Sequence, residues 1–415
     1  MIVPRSEKCQ VQISWELENY SNHDNRCVIH RRNSFHTEPA PHAPNQAMPP
    51  KKTKGDSKKQ TSRGDNDDGQ GQDPAVLLAS YKKVCVTIGL PPPPNDPVIV
   101  ALKPKADPTE NENHGKQIVI CAKDGESDDN LLGPGRCRAL AVAISGRGCG
   151  LPVTEAGEPI IFTLLTDLRI CRSRIGDDGT VALAELLRLG AKELNISFLE
   201  LMDCKISHRG ASALGRSLSC ATNTTLTSLR LDHNSDLRSE GISAICKGLR
   251  TNSTLTSLSV QYCNIDSDGA ASIAEMLSFK RSALTSLNLT GNKLGALGLT
   301  TLSSQGLPQN SSLVELGVAD NGIRSTADDV SALGTFGKAV SAHPTLTTID
   351  LMLNYIGDDG GQALLLSLQD NKRVHTIKIE PKSVLDEAIF NALNRSSSST
   401  KGKGKKKKGG KKKTK

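Results

Sequence analysis

The string LTSLNLTGNKL, residues 284–294, decides the fold. Leu284, Leu287 and Leu289 hold its first, fourth and sixth positions, Asn292 the ninth and Leu294 the eleventh. The alternation of Leu287 and Leu289 puts two side chains of a short strand on one buried face, with Leu284 behind them. At Asn292 the chain turns inward, where a carboxamide satisfies backbone groups that no strand partner reaches. Leu294 closes the layer.

The pattern recurs. LTDLRICRSRI, ISFLELMDCKI, LTSLRLDHN, LTSLSVQYCNI, LVELGVADNGI, LTTIDLMLNYI and VHTIKIEPKSV start at 165, 196, 226, 255, 313, 346 and 374. With residue 284 in its place, successive spacings are 31, 30, 29, 29, 29, 33 and 28. Eight units at a near-constant period define a repeat array. The ninth position reads Ser173, Cys204, Asn234, Cys263, Asn292, Asn321, Asn354 and Lys382. Ile175, Ile206, Ile265, Leu294, Ile323 and Ile356 close the core two residues later. Cys137, Leu140 and Val142 repeat the offsets 28 residues before Leu165, which predicts a degenerate capping repeat over 136–164.

A helix is expected in the second half of most units. Asp177, Ser239, Ser267, Ser325 and Asp358 occupy equivalent places and read as N-caps. The pairs Leu183 and Leu187, Leu214 and Leu218, Ile245 and Leu249, Ile273 and Leu277, and Leu364 and Leu368 form one apolar stripe at i, i+4. Asn223, Asn252 and Asn310 stand in the return loops, where a left-handed residue is expected after a helix. They also match glycosylation sequons, but their recurrence at one structural position favours the turn. The prediction is an α/β protein, a curved βα solenoid with parallel strands on the concave face and helices outside.

Composition agrees with thin layers. The 415 residues include one Trp, four Tyr and six Phe, too few for several compact cores of the usual kind. The formal charge of +8 divides unevenly. Residues 401–415 carry ten Lys and no acid, residues 1–72 carry eleven basic and nine acidic residues, and 8 − 10 − 2 leaves −4 for residues 73–400.

Residues 1–72 read as a disordered arm, and Met48 is an alternative start that would leave 1–47 untranslated. Arg63, Gly64 and Asp65 spell an adhesion tripeptide by coincidence. Residues 73–135 form a small, partly helical region: a helix over Val76, Leu77, Tyr81, Val84 and Ile88 begins at an Asp73 cap with Pro74 behind it. Pro91 to Pro94 then make a stiff connector. The repeat domain covers 165–395, and 396–415 is a disordered Ser/Lys-rich tail.

No stretch reaches the roughly 18 apolar residues of a membrane helix, and the N-terminus is too charged for a secretory signal. Eleven Cys without a C-x-x-C pair support neither a disulfide framework nor a zinc site. The expected location is cytoplasmic, extending to the nucleus if the tail is an import signal.

These units resemble the leucine-rich repeat superfamily. Their length, their helices and the alternation of Cys204, Asn234, Cys263 and Asn292 are similar to the ribonuclease-inhibitor-like subclass. That subclass includes the Ran GTPase-activating protein, NOD-like receptor sensor domains and ciliary repeat proteins. The resemblance implies a protein-binding scaffold. It leaves two alternatives: a GTPase-activating regulator of a small Ran-like GTPase, and a ciliary or flagellar structural component. The basic tail counts against the first, since the Ran activator carries an acidic segment after its repeats. No phosphate-binding loop precedes the array, and the fragment Gly334, Gly337, Lys338 lacks the first Gly and final Ser or Thr of one.

The strand face offers the second, third, fifth, seventh and eighth positions of each unit. At the fifth, Arg169, Glu200 and Arg230 are expected to form an alternating charge row, either a partner site or a self-satisfied network. Phe198, Met202 and Tyr262 are expected near the same face among Arg172, Asp203, Asp232 and His233, as a protein-binding hot spot or as packing beneath the loops. No Ser, His and acid converge and no ligand set completes a metal shell, so no enzyme, cofactor or metal is predicted. The Asp pairs at 177–178 and 358–359 read as helix capping. Lys405, Lys406, Lys407, Lys408, Lys411, Lys412 and Lys413 are candidates for binding polyanions such as nucleic acid or acidic protein tails, or for nuclear import. A monomer is expected.

Overall fold

The computed structural model describes residues 73–104, 113–122, 131–190, 193–219, 222–380 and 384–394. The arm 1–72 with Met48, Lys382 and the tail 396–415 lie outside the described residues.

The chain opens with α1 (Pro74–Thr87), α2 (Pro97–Leu102), β1 (Gln117–Cys121) and α3 (Pro134–Ser145). Strands and helices then alternate: β2 (Asp167–Cys171), α4 (Gly176–Leu189), β3 (Phe198–Met202), α5 (His208–Leu218), β4 (Ser228–Arg230) and α6 (Arg238–Leu249). They continue through β5 (Ser257–Ser259), α7 (Ser267–Leu277), β6 (Ser286–Asn288), α8 (Gly295–Thr301), β7 (Glu315–Gly317) and α9 (Ala327–Ala342). The last elements are β8 (Thr348–Asp350), α10 (Gly357–Leu368), β9 (Thr376–Lys378) and α11 (Glu387–Leu393).

Among the described residues, nine strands form one parallel sheet in chain order. Leu168, Leu199, Leu229, Leu258, Leu287, Leu316, Ile349 and Ile377 face one another in register and are buried, as the fourth position of the repeat requires. Each unit hides its apolar stripe only against its neighbours, which is why the core is a stack of Leu, Ile and Ala layers. Glycines let two helices approach closely: a Cβ on Gly215 of α5 would strike the Ala244 carbonyl, and one on Gly248 of α6 the Gly215 carbonyl.

The ninth-position residues stitch these layers together. The Asn292 Oδ1 accepts from the Cys263 and Ile265 amides at 3.1 and 3.0 Å, and its Nδ2 donates to the Val260 and Leu289 carbonyls. Asn234 and Asn354 bond in the same way one unit apart. At Cys263 the thiol donates instead to the Leu231 and Gln261 carbonyls. In the last units the buried Glu380, at a seventh position, accepts from the Ile356 amide at 2.7 Å, a role the repeat pattern had given to Lys382. Burial raises the Glu380 pKa.

The structure corrects three sequence readings. First, the expected N-caps belong to other residues. Helices α4 and α10 begin just after Ile175 and Ile356, whose side chains give no cap, α6 follows Leu237, Asp266 caps α7, and Thr326 caps α9 through a capping box with Asp329. Asp177 instead accepts from the Ser207 and Gly210 amides of the next unit at 2.8 and 3.0 Å, and Asp358 from the Asp386 amide at 2.7 Å. Ser239 exchanges hydrogen bonds with Asp266. Asp177 and Asp358 therefore cap across units, while Asp178 pairs with Arg209 of the next unit at 2.7 Å.

Second, Asn223, Asn252 and Asn310 are not left-handed. They are buried; each Oδ1 accepts from amides two and three residues on, while each Nδ2 reaches a carbonyl on the preceding unit's helix, Leu187, Leu218 or Leu277. Burial leaves no room for a glycan in the folded chain. His343 takes the same place, its Nδ1 accepting from the Thr345 and Leu346 amides.

Third, the capping strand is β1, 50 residues before β2 and paired with it along its whole length, rather than a segment of 136–164. Cys137, Leu140 and Val142 lie on α3, which Pro134 starts and the left-handed Gly146 ends. Helix α1 forms as expected from Asp73 and Pro74. Its Tyr81 hydroxyl donates to the fully buried Asp96, which also accepts from the Val98 and Ile99 amides and pairs with Arg136 at 2.9 Å.

Candidate protein-binding surface

The strand face has two clusters. On β2, β3 and β4, register places Arg169, Glu200 and Arg230 in one row and Phe198 beside Asp167 and Ser228. Because side chains two apart on a strand share a face, Phe198 and Glu200 point the same way. The Arg169 guanidinium carbon lies 4.6 Å from the Phe198 ring centroid and that of Arg230 5.5 Å, both within cation–π range. Arg230 approaches Glu200 at 3.9 Å, whereas Arg169 turns to Asp167 at 3.4 Å. The expected alternating row thus has one cross-strand pair, with Phe198 as the shared support of both arginines.

The second cluster runs along the strand ends. Arg172, Asp203, His233, Tyr262, Asp320 and Leu353 all have φ between 48° and 62°, and Gly291 has 72°. These are the eighth positions of successive units. At most of them the left-handed turn lets the amide donate to the next unit, as from Arg172 to Met202, Asp203 to Asp232, His233 to Gln261, and Tyr262 to Thr290. For a non-glycine residue that conformation costs about 1–2 kcal/mol, which the extended ladder offsets.

The left-handed turn throws each side chain outward along one line. His233 and Tyr262 stack with ring centroids 4.8 Å apart and planes 11° from parallel. Gly291 supplies the far side of the stack: a Cβ there would collide with the Tyr262 ring. Asp203 pairs with Lys205 at 2.8 Å. Met202 is half-buried, and Phe198 is half-buried beneath its arginines.

Asp232 departs from expectation. It is buried, accepting from the Ser259 hydroxyl at 2.7 Å and from the Gln261 amide and side chain, so it supports the turn below His233 and is not part of the surface. Sequence spacing missed Asp167, Lys205 and Gly291. Asp167 stood at a third position, and the meaning of Gly291 depends on the ring one strand away.

An open array of βα units with a strand-lined face, its layers stitched by buried ninth-position side chains such as Asn234, Asn292 and Asn354, has the architecture of a leucine-rich repeat protein. The family model described as Leucine Rich repeat matches residues 222–246, 251–274, 282–303 and 342–365. The chain is 30% identical over 138 residues to NACHT, LRR and PYD domains-containing protein 13 of Homo sapiens, covering 33% of this chain and 13% of that protein. To ribonuclease inhibitor of Sus scrofa it is 28% identical over 269 residues, covering 61% of this chain and 55% of that one. The structure of leiomodin-1 actin-binding site 2 overlaps 39% of this chain and 88% of its own at a TM-score of 0.33 and 17% identity. The chain thus spans about an eighth to about half of the relatives' own lengths. With its helical units and Cys/Asn alternation, it is similar to the ribonuclease-inhibitor-like subclass.

Proposed function

We propose that the chain is a non-enzymatic interaction scaffold that binds a protein partner in the concave, strand-lined face. Leucine-rich repeat relatives support a protein-interaction role in general. The observation that carries the finer reading is Phe198 held beneath Arg169 and Arg230: an aromatic anchor with two guanidiniums at the centre of three strands has the composition of a binding hot spot. The Tyr262–His233 stack extends that surface along the strand ends.

The Lys401–Lys415 tail tethers the complex to a polyanion, and Lys405 to Lys408 direct part of the cytoplasmic pool to the nucleus. The scaffold acts as a monomer. A photo-reactive residue placed at Ser257 or Ser286 of the strand face, and in parallel at Glu275 on α7, tests the reading. Cross-linking to a partner from the strand positions is expected; cross-linking from α7 alone would overturn it.

A further inference from the structure

Arg169 and Arg230 are poorly satisfied where they stand. A guanidinium carries five N–H donors. Arg169 makes one long hydrogen bond, to Asp167 at 3.4 Å, and its Nε is buried without an acceptor. Arg230 stays 3.9 Å from Glu200, beyond hydrogen-bond reach. Both side chains remain well exposed, at 37% and 49%. The Phe198 ring orders them without using their donors.

The floor beside them is small and polar. Ser228, Ser257 and Ser286 continue the Phe198 register row across β4, β5 and β6, so the ring and its arginines form a wall at one side of a shallow strip of hydroxyls. On β2, β3 and β4 and the turns after them, the described face bears Arg169, Lys205 and Arg230 alongside Asp167, Glu200 and Asp203. Over β5 and β6 it presents Ser257, Ser286 and Asn288, with Ser259 buried against Asp232.

Resting on the reading of this face as the partner site, we infer that it recognises an acidic segment of its protein partner, a side-chain carboxylate seating between Arg169 and Arg230 against Phe198. A planar carboxylate matches the guanidinium fork and takes two donors at once, which a point charge or an apolar side chain does not. The donors that Arg169 and Arg230 leave unused draw such a segment in. The Lys401–Lys415 tail has the wrong sign to occupy the site.

The test uses the full-length chain with Lys405, Lys406, Lys407, Lys408, Lys411, Lys412 and Lys413 each changed to Gln, so that the tail does not capture the probe. Short fluorescein-labelled peptides of alternating Glu and Gly, Gln and Gly, or Lys and Gly are titrated by anisotropy. The Glu peptide is expected to bind and the others not. Arg169→Ala with Arg230→Ala should weaken binding by roughly tenfold or more, the usual scale for losing charge-assisted hydrogen bonds. Arg230→Lys, which keeps the charge and loses the fork, should weaken it by a smaller factor, and circular dichroism checks that each variant is folded. Equal binding of the Lys peptide, or indifference of the Glu peptide to both arginines, overturns the inference. A partner cross-linked at Ser257 through a segment without Asp or Glu removes the acidic specificity alone; cross-linking confined to α7 removes the partner site with it.

Discussion

Replacing Asn292 with Ala should destabilise the array far more than one polar side chain ordinarily does. Asn292 is 5% exposed, and its carboxamide serves two amides, of Cys263 and Ile265, and two carbonyls, of Val260 and Leu289. An orphaned buried polar group costs about 1–3 kcal/mol. The removed amide leaves space for about one water, which recovers part of that loss, so a net of about 3 kcal/mol is expected. Asn288→Ala is the control: its Oδ1 accepts only from the Thr290 amide in the half-buried strand face, and about 1 kcal/mol should be lost. Asn292→Asp keeps the acceptor but puts a carboxylate against two carbonyls and should be at least as damaging at pH 7. Asn292→Cys imitates Cys263 yet leaves both amides unserved, so it should rescue little. Urea unfolding followed by far-ultraviolet circular dichroism measures all four, with hydrogen exchange locating the loss in neighbouring units. If Asn292→Ala and Asn288→Ala differ by less than about 1 kcal/mol, the stitching by the ninth position is refuted.

Three other outcomes are expected. Burial lowers the His343 pKa, and Arg373 adds to this; protonation would place a proton on the Nδ1 that accepts from the Thr345 and Leu346 amides. The depressed folded-state pKa makes this contribution complete above the unfolded value of about 6.5 and lost as pH falls below it, so His343→Asn should lessen the fall in urea midpoint between pH 7 and pH 5; an unchanged fall removes His343 as its source. Gly291→Ala places a Cβ in the Tyr262 ring and a side chain at φ 72°, and should cost more than about 1 kcal/mol while shifting the His233 imidazole resonances; unshifted resonances would show that Gly291 does not hold the stack. Arg136→Ala leaves the fully buried Asp96 charge without its cation, and a loss of about 3 kcal/mol is expected in thermal unfolding, partly reversed by adding Asp96→Asn; no recovery in the double variant would place the loss elsewhere.

What the sequence disclosed is what recurs at a fixed interval. The apolar first, fourth and sixth positions predicted the strands β2 to β9 and their register, because burial of a short strand leaves those sites little freedom. Hydrogen bonds between units were invisible. Asp177 looks like a cap for its own helix, since nothing local reveals the Ser207 amide of the next unit beside it. Asn223 and Asn252 look like left-handed turn residues, since their true partners, Leu187 and Leu218, lie 36 and 34 positions away. Strand β1 escaped notice because the 50-residue interval to β2 breaks the period. Of the candidate surface, the residues were legible and the geometry was not: Phe198 and the arginines stood out by type, whereas the burial of Asp232 depends on a turn conformation that no glycine announces.

That turn conformation bears on how such an array changes over time. At Arg172, Asp203, His233, Tyr262 and Asp320 the left-handed backbone comes with an amide hydrogen bond to the neighbouring unit, whatever residue occupies the position. Arg172, Asp203, His233, Tyr262 and Leu353 share one dihedral setting with nothing chemical in common. Glycine at any of them would relieve strain, so each side chain there is displayed at a cost in stability. The fold supplies a row of sockets about 4.8 Å apart, and where neighbours touch, as at His233, Tyr262 and Gly291, refitting one constrains the next.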